Sequence, residues 1–458
     1  MNPARLVERI FKKFLPSQFT IAVLLTLFTV ALAYFFSGME QEGRLRTILL
    51  YWEKGVWDSG LLVFAYQMML ILVLGHVLVL SPLVNRLIAM LTRHATNTAN
   101  AAVLVSVATM LAAFFNWGLA LIFGAVLARK VGEKAQEEGF PLNYPLIGAA
   151  GYTGLMVWHG GMSGSAPLKA AEKGHIADLM QHVPKAEASA FSFPEFISTQ
   201  HTIFSWWNLL LFGLLLVIIP VVLYALGKKV KPTEINLKVY NPESPGRSKI
   251  SGAEGLDHSR ILAFGFAAMI LAAFFIRYGS ELAAFNITPN MLNLFMLGLA
   301  VLLHGNFRNF LNALEEAIKG VSGILIQFPL YFGIMGIMSH SGMVEDISGF
   351  FASVANAKTL PVFIFFSGGL VNIFVPSGGG QWAVQGPVVL DAALKLGVPL
   401  PKAVMSLAYG DQITNMLQPF WALPLLGITR LRAKDILPYT LLLMVAGTLI
   451  LVAGLLFL

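Results

Sequence analysis

Val375-Pro376-Ser377-Gly378-Gly379-Gly380-Gln381-Trp382 is a polar, glycine-rich stretch set inside apolar sequence, and Ala408-Tyr409-Gly410-Asp411-Gln412-Ile413-Thr414-Asn415 is a second. Helix-breaking, hydrogen-bonding sequence is too costly to expose to lipid. It survives at membrane depth only where it is buried in protein or lines a cavity. Two such breaks in nearby apolar segments are the usual sequence pointer to a transporter's binding site.

The rest of the chain fits that frame. Its 458 residues are 57% hydrophobic and 12% charged, with a mean hydropathy of +0.72. That exceeds what a soluble protein needs, so the chain reads as an all-α polytopic membrane protein forming one integrated bundle. The lack of Cys excludes disulfides, thiolate metal sites and cysteine nucleophiles. The net charge of +7 does not imply a nucleic-acid partner, because the basic residues sit between apolar runs as topology signals do. Arg5, Arg9, Lys12 and Lys13 precede the apolar run 19–36. That run is long for the apolar core of a signal peptide, so it reads as a retained transmembrane helix.

Single-pass helices are expected at 19–36, 61–80, 203–226, 260–278, 289–304, 322–339 and 436–457. The segments 144–168 and 402–426 are apolar but interrupted, and read as broken helices. The segments 99–130 and 361–392 each pair two short apolar runs around a polar tip, and read as re-entrant hairpins. Their tips are Asn116-Trp117-Gly118 and Pro376 to Gly380. This predicts about nine crossings plus two hairpins. With the N-terminus cytoplasmic and the C-terminus periplasmic, Lys and Arg favour the inside by about two to one while acidic residues do not. The stretch 227–259 is then a cytoplasmic linker and 169–202 the main external loop.

The halves resemble each other at an offset of about 256 to 260 residues. Gln67 matches Gln327, Asn116 matches Asn372, Tyr152 matches Tyr409, and Pro167-Leu168 matches Pro424-Leu425. Residues 1–226 form the first repeat and 289–458 the second. The connecting segment 227–288 carries an extra helix at 260–278 that inverts the second repeat. Inverted repeats typify secondary transporters that work by alternating access.

At the second tip, Ser377, Gly378, Gly379 and Gly380 let backbone N–H groups point at an anion. Asn372 and Gln381 add side-chain hydrogen bonds. The mix suits a small carboxylate with a short apolar tail, although glycines also serve close helix packing. Asp411 is the acidic residue placed well inside the membrane, where ionisable groups usually mark ion or proton pathways. It would carry a proton, or bind Na⁺ with Thr414, Asn415 and backbone carbonyls, or act as a structural acceptor. Gln412 and Gln418 read as polar lining and Trp421 as a packing aromatic. The matching break in the first half is Trp158-His159-Gly160-Gly161-Met162-Ser163-Gly164-Ser165. His159 would switch charge near neutral pH or serve structurally. Gly161-Met162-Ser163-Gly164 also fits the G-x-S-G pattern of intramembrane serine proteases, with His76 or His304 as base. That reading leaves the repeat and hairpins unexplained.

These motifs resemble the short-chain fatty acid transporter family, bacterial uptake proteins for acetoacetate, butyrate and similar acids. The resemblance runs over nearly the whole length. It is carried by Asn116-Trp117-Gly118, by Gly160-Gly161-x-Ser163-Gly164-Ser165, by the run from Val375 to Pro387, and by the run from Ala408 to Pro424. His159 departs from it, standing where the family pattern has a small residue such as Gly. Asp411 fits, since the position before Gln412 is acidic in the pattern. The resemblance implies membership of the larger ion-transporter superfamily, an elevator mechanism and a homodimer. The expectation is cation-coupled uptake of short-chain monocarboxylates across the bacterial inner membrane, with H⁺ or Na⁺ as the coupling ion and no other cofactor. Asn372 and the Ser377–Gly380 amides would hold the carboxylate, helped by Asn116, Ser163 and Ser165. Trp117, Trp158 and Trp382 would enclose the tail. A passive channel and a cation/proton antiporter are the competing classes.

Overall fold

The computed structural model describes residues 17–40, 42–180, 193–237, 252–283, 289–319 and 321–458. The basic flank before the first helix and parts of the external loop and linker lie outside these residues. Every regular element among the described residues is helical. In chain order the main ones are α1 (Gln18–Phe36), α2 (Arg44–Val56), α3 (Ser59–Leu80), α4 (Pro82–Leu91), α5 (Thr98–Phe115), α6 (Trp117–Glu138), α7 (Tyr144–Gly151), α8 (Ser165–Ala170) and α9 (Trp206–Gly227). Then come α10 (Arg260–Ala283), α11 (Pro289–His304), α12 (Phe307–Ile318), α13 (Ser322–His340), α14 (Met343–Ser353), α15 (Leu360–Phe374), α16 (Gly378–Lys395), α17 (Leu400–Thr414), α18 (Pro419–Thr429) and α19 (Ala433–Phe457).

Among the described residues, five helices are long and apolar enough to cross a membrane, namely α1, α5, α9, α10 and α19. Stretches of α11, α13, α15 and α18 are apolar but shorter. The interruptions fall where the sequence places them. α5 and α6 part at Asn116, whose backbone is extended (φ −153°) and whose Oδ1 accepts the Leu119 N–H at 2.9 Å. α15 and α16 part at Val375 to Ser377, and Ser377 Oγ accepts the Gly380 N–H at 3.2 Å. In each hairpin one polar side chain satisfies an orphan donor of the second arm, which lets that arm begin without water. α7 runs into two 3₁₀ turns, Thr153–Met156 and Trp158–Gly160, before α8. α17 runs into the turn Asn415–Leu417 before α18.

The first hairpin differs from expectation in length. α5 is 18 residues and passes as a full span, and α6 continues to Glu138, well past residue 130. The charged tail of α6 stays helical because it pairs along its own surface. Arg129 Nε meets Glu133 Oε1 at 2.8 Å, Lys130 Nζ meets Glu133 Oε2 at 2.6 Å, and Lys134 Nζ meets Glu138 Oε2 at 3.6 Å. The start of the linker is strapped to the α6–α7 corner. The Thr233 N–H donates to Leu142 O at 2.9 Å and the Leu237 N–H to Gln136 Oε1 at 2.8 Å.

The order of elements recurs in the two halves: a short helix (α2, α12), a long one (α3, α13), another short one (α4, α14), a hairpin, a broken helix and a long closing helix (α9, α19). Within the second half, α15 and α17 are packed backbone to backbone. A Cβ on Gly410 would lie 2.0 Å from Phe365 O and 3.0 Å from Gly369 N. Only Gly fits that approach.

Candidate functional site

The second hairpin tip and both helix breaks meet in one buried place. A Cβ on Gly378 would lie 2.8 Å from His159 Cε1, 2.9 Å from the far carbon of the Trp158 ring and 3.0 Å from Asp411 Oδ2. The tip of one hairpin therefore rests on the break of each half. Gly379 beside it is exposed. Its amide and that of Gly378 open α16 ahead of any intrahelical acceptor, so they remain available to an anion.

His159 and Asp411 are each 1% exposed and face each other, Nδ1 against Oδ2. His159 Nε2 accepts the Ala166 N–H at 3.0 Å. That bond requires an unprotonated Nε2, which leaves the proton of a neutral ring on Nδ1, on the Asp411 side, although neither Nδ1 nor Asp411 Oδ2 has a hydrogen bond of regular geometry. Trp158 stacks on the imidazole with centroids 4.4 Å apart. Gln412 closes the other side, its Oε1 accepting the N–H groups of His159 and Gly160 at 3.0 Å each.

A second polar cluster lies on the other side of Asp411. Asn372 Nδ2 is 2.7 Å from Asp411 O, 2.8 Å from Asn415 Oδ1 and 2.9 Å from Thr414 Oγ1. An amide has two hydrogens, so three oxygens converging on one nitrogen exceed what it can satisfy. Gln418 Nε2 donates to the Asn372 carbonyl. Buried polar atoms without a hydrogen-bond partner gather here: Asn372 Oδ1, Asn415 Nδ2, Gln418 Oε1 and Tyr331 OH. Such orphans are rare in native interiors and concentrate where water, an ion or a ligand belongs.

The residues singled out from the sequence fall into three groups. Asp411, Thr414, Asn415, Asn372, Gln412, Gln418, His159, Trp158 and Gly378 are brought together. From the first tip, Trp117 joins them: its N–H donates to Ser163 Oγ at 2.9 Å, and its ring lies 6.0 Å from Trp158 and 5.1 Å from Trp421. Asn116 caps α6, Gly118 backs onto Ile71 and Leu292, and Ser165 opens α8. Two residues face elsewhere. Gln381 Nε2 bonds Gly368 O at 2.8 Å and Gln385 Oε1 at 2.7 Å inside the second hairpin. Trp382 packs against Leu179 and Gly386 in a separate apolar cluster, with Nε1 donating to His175 Nε2 at 3.0 Å. Rise along the helix is the reason: 381 and 382 share the face of 378 but sit a turn further along α16, about 5 Å, past the breaks and beside α15 and the external segment.

Sequence reasoning had no role for Asn208, Tyr152, Tyr409 or Tyr331. Asn208 Nδ2 holds Gly160 O at 2.9 Å and its Oδ1 accepts the Tyr409 hydroxyl at 2.6 Å. The Tyr152 hydroxyl donates to Asn415 O at 2.9 Å, with Gln418 O at 3.2 Å beside it. The pairing of Tyr152 with Tyr409 in the repeat was the available signal. A cavity of about 350 Å³ also opens beside the second break. It is lined by Pro376, Thr414 and Gln418 together with Ile21, Leu25 and Met444.

Residues 3–458 match the family model for the short chain fatty acid transporter. The chain belongs to that family. Two relatives provisionally named short-chain fatty acid transporters are similar over essentially their full lengths. The one from Haemophilus influenzae is 35% identical over 99% of both chains. The one from Escherichia coli is 36% identical, covering 99% of this chain and 98% of the relative. Among solved structures, the YdaH transporter of Alcanivorax borkumensis is similar over 96% of this chain and 97% of its own, at 16% identity and a TM-score of 0.44. MtrF of Neisseria gonorrhoeae, described as one of a class of antimetabolite efflux pumps, is 15% identical with a TM-score of 0.41 over 97% of each chain. Those likenesses are loose and carry no further weight.

Membership makes the protein a membrane transporter, and the serine-protease alternative falls. Ser163, its would-be nucleophile, instead accepts a hydrogen bond from the first tip.

Proposed function

We propose that the protein is a secondary active transporter that couples uptake of short-chain monocarboxylates to a cation. The observation that carries this reading is the meeting of the Gly378 tip with both helix breaks, next to a cluster of buried polar atoms that lack partners. Family membership and the names of the two bacterial relatives support the substrate class. The carboxylate would lie at the free amides of Gly378 and Gly379, near the boundary between the halves.

Two elements suit the coupling cation. The His159–Asp411 pair suits a proton, since a buried imidazole and carboxylate that face each other can hold and release one. The oxygens of Asp411, Thr414 and Asn415 suit Na⁺, since they converge on a point now filled by the Asn372 amide. The recurring element order supports two inverted repeats, and with them about nine crossings and an elevator-type movement. On the same reading the protein is a homodimer of the bacterial inner membrane, with its N-terminus cytoplasmic and its C-terminus periplasmic.

The test is uptake of labelled butyrate and acetoacetate by the purified protein in liposomes, with pH and Na⁺ gradients imposed separately. Accumulation above equilibrium under one gradient establishes coupled transport and names the cation. Equilibration without response to either gradient would mean a channel or uniporter. A cation flux insensitive to added carboxylates would mean an antiporter.

A further inference from the structure

We infer that the cavity of about 350 Å³ beside the second break is the chamber for the substrate's alkyl tail, and that it sets the chain length accepted. This rests on the monocarboxylate reading above and adds the part of the site that the tryptophans were expected to supply. None of the three lines this cavity. Trp382 is packed on the external segment, and Trp117 and Trp158 lie in an aromatic chain that continues through Trp421 and Phe420 onto Phe328, 4.1 Å from Phe420. Two cavities of similar size border Thr414 and Met444; this one also reaches Pro376 and Gln418, while the other, of about 380 Å³, is lined by Phe365, Phe366 and Leu449 and reaches neither.

Its walls are chemically lopsided. The lining from the second tip and break is Pro376, which leads into the glycine tip, the Thr414 hydroxyl and the amide of Gln418. The rest of the lining is Ile21 and Leu25 of α1, Ile373 of α15, Leu417, Phe420 of α18, and Leu437 and Met444 of α19, with Tyr331 of α13. Gln418 and Tyr331 each carry a buried oxygen with no partner. None of the lining residues is Asp, Glu, Lys, Arg or His. A monocarboxylate would place its charged end toward the tip amides and its carbons against the aliphatic wall. A dicarboxylate would force its second charge against Leu25 and Met444, which is prohibitive without a partner. At about 30 Å³ per heavy atom, the share a water takes in the liquid, the cavity holds roughly a dozen heavy atoms. Short acids fit with room to spare, and acids of about eight carbons should still fit.

Binding is read directly, as thermal stabilisation of the purified protein by acetate, butyrate, hexanoate, octanoate and succinate. Apparent affinity should rise about fourfold per added methylene as far as octanoate. Succinate should not stabilise. Leu25→Trp and Met444→Trp, which fill the chamber from opposite helices, should weaken hexanoate at least about tenfold, the scale of a lost methylene-sized fit. Acetate binding should stay unchanged in both, which also reports that they fold. Leu437→Ala should favour the longer acids. Equal loss across all chain lengths in both filled variants, unaltered hexanoate binding, or succinate binding as tight as butyrate would overturn the assignment. Absence of uptake with the chain-length pattern intact would instead sink the transport reading alone.

Discussion

Tyr152 and Tyr409 each support the helix break of the opposite half. The Tyr152 hydroxyl, from the first break, holds Asn415 O in the second. The Tyr409 hydroxyl, from the second, holds Asn208, whose amide carries Gly160 O in the first. Tyr152, Tyr409 and Asn208 are buried, as are Asn415 and Gly160, whose carbonyls they hold. Neither break has a regular helical ladder to satisfy its carbonyls, so the phenols do it. Tyr152→Phe and Tyr409→Phe should each cost about 1–3 kcal/mol, the penalty for a buried acceptor left unpaired. The double variant should lose less than the sum, because both act on one cluster. Melting of the detergent-solubilised variants in a four-point cycle checks this, and strict additivity would separate the two braces.

Gly378→Ala should abolish uptake while leaving the protein folded. The added methyl would come within 3.0 Å of His159, Trp158 and Asp411 together, and none of these is the free end of a flexible chain. Overpacking of this kind costs about 1–3 kcal/mol, too little to unfold a protein of this size. Gly379→Ala beside it meets nothing within 4 Å and should fold with near-normal stability. Paired uptake and size-exclusion measurements distinguish tip contact from general damage.

Asp411→Asn keeps an oxygen to accept the His159 Nδ1–H but removes the titratable carboxylate. Concentrative uptake should collapse to equilibration, while exchange of labelled for unlabelled acid continues. If the variant still responds to pH and Na⁺ gradients as wild type does, Asp411 is structural.

Glu316 on α12 offers a pH test outside the spans. Partial burial pushes its carboxyl up. The Lys319 ammonium at 2.6 Å and the charges of Lys319, Arg430 and His76 outweigh that, so it titrates below its ordinary 4.5. A depressed carboxyl stabilises the fold above its unfolded pKa and loses that contribution as pH falls through the folded value. Its partners are partly exposed, so about 0.2–1 kcal/mol is expected. Glu316→Gln should therefore lower the melting temperature slightly at pH 7 and leave it unchanged in acid well below pH 4.5. Equal shifts at both pH values would point to lost packing instead.

The long apolar helices and all four interruptions were legible because each is a local property: an apolar run, or Gly, Pro and Asn inside one. The short helices α2, α4, α12 and α14 were not. They are too short and too amphipathic to register against a twenty-residue apolar window, and α2 carries Arg44, Arg46, Glu53 and Lys54 in 13 residues. At the site, Asp411 and His159 stood out singly, as an acid and an imidazole in apolar surroundings. Their contact joins residues from opposite halves, and no local pattern encodes it. The cavity was invisible for the same reason, since α1, α13, α18 and α19 each supply only part of its wall.

The touching backbones of α15 and α17 have a mechanical consequence. Side chains between helices act as bearings, and helices that keep them slide or roll by swapping rotamers. At Gly410 and Phe365 there is nothing to swap. The hairpin arm and the broken helix form a single plank. Whatever displacement carries cargo across the membrane must be taken up at its ends, one of which is where Gly397 (φ +68°) turns the chain from α16 into α17.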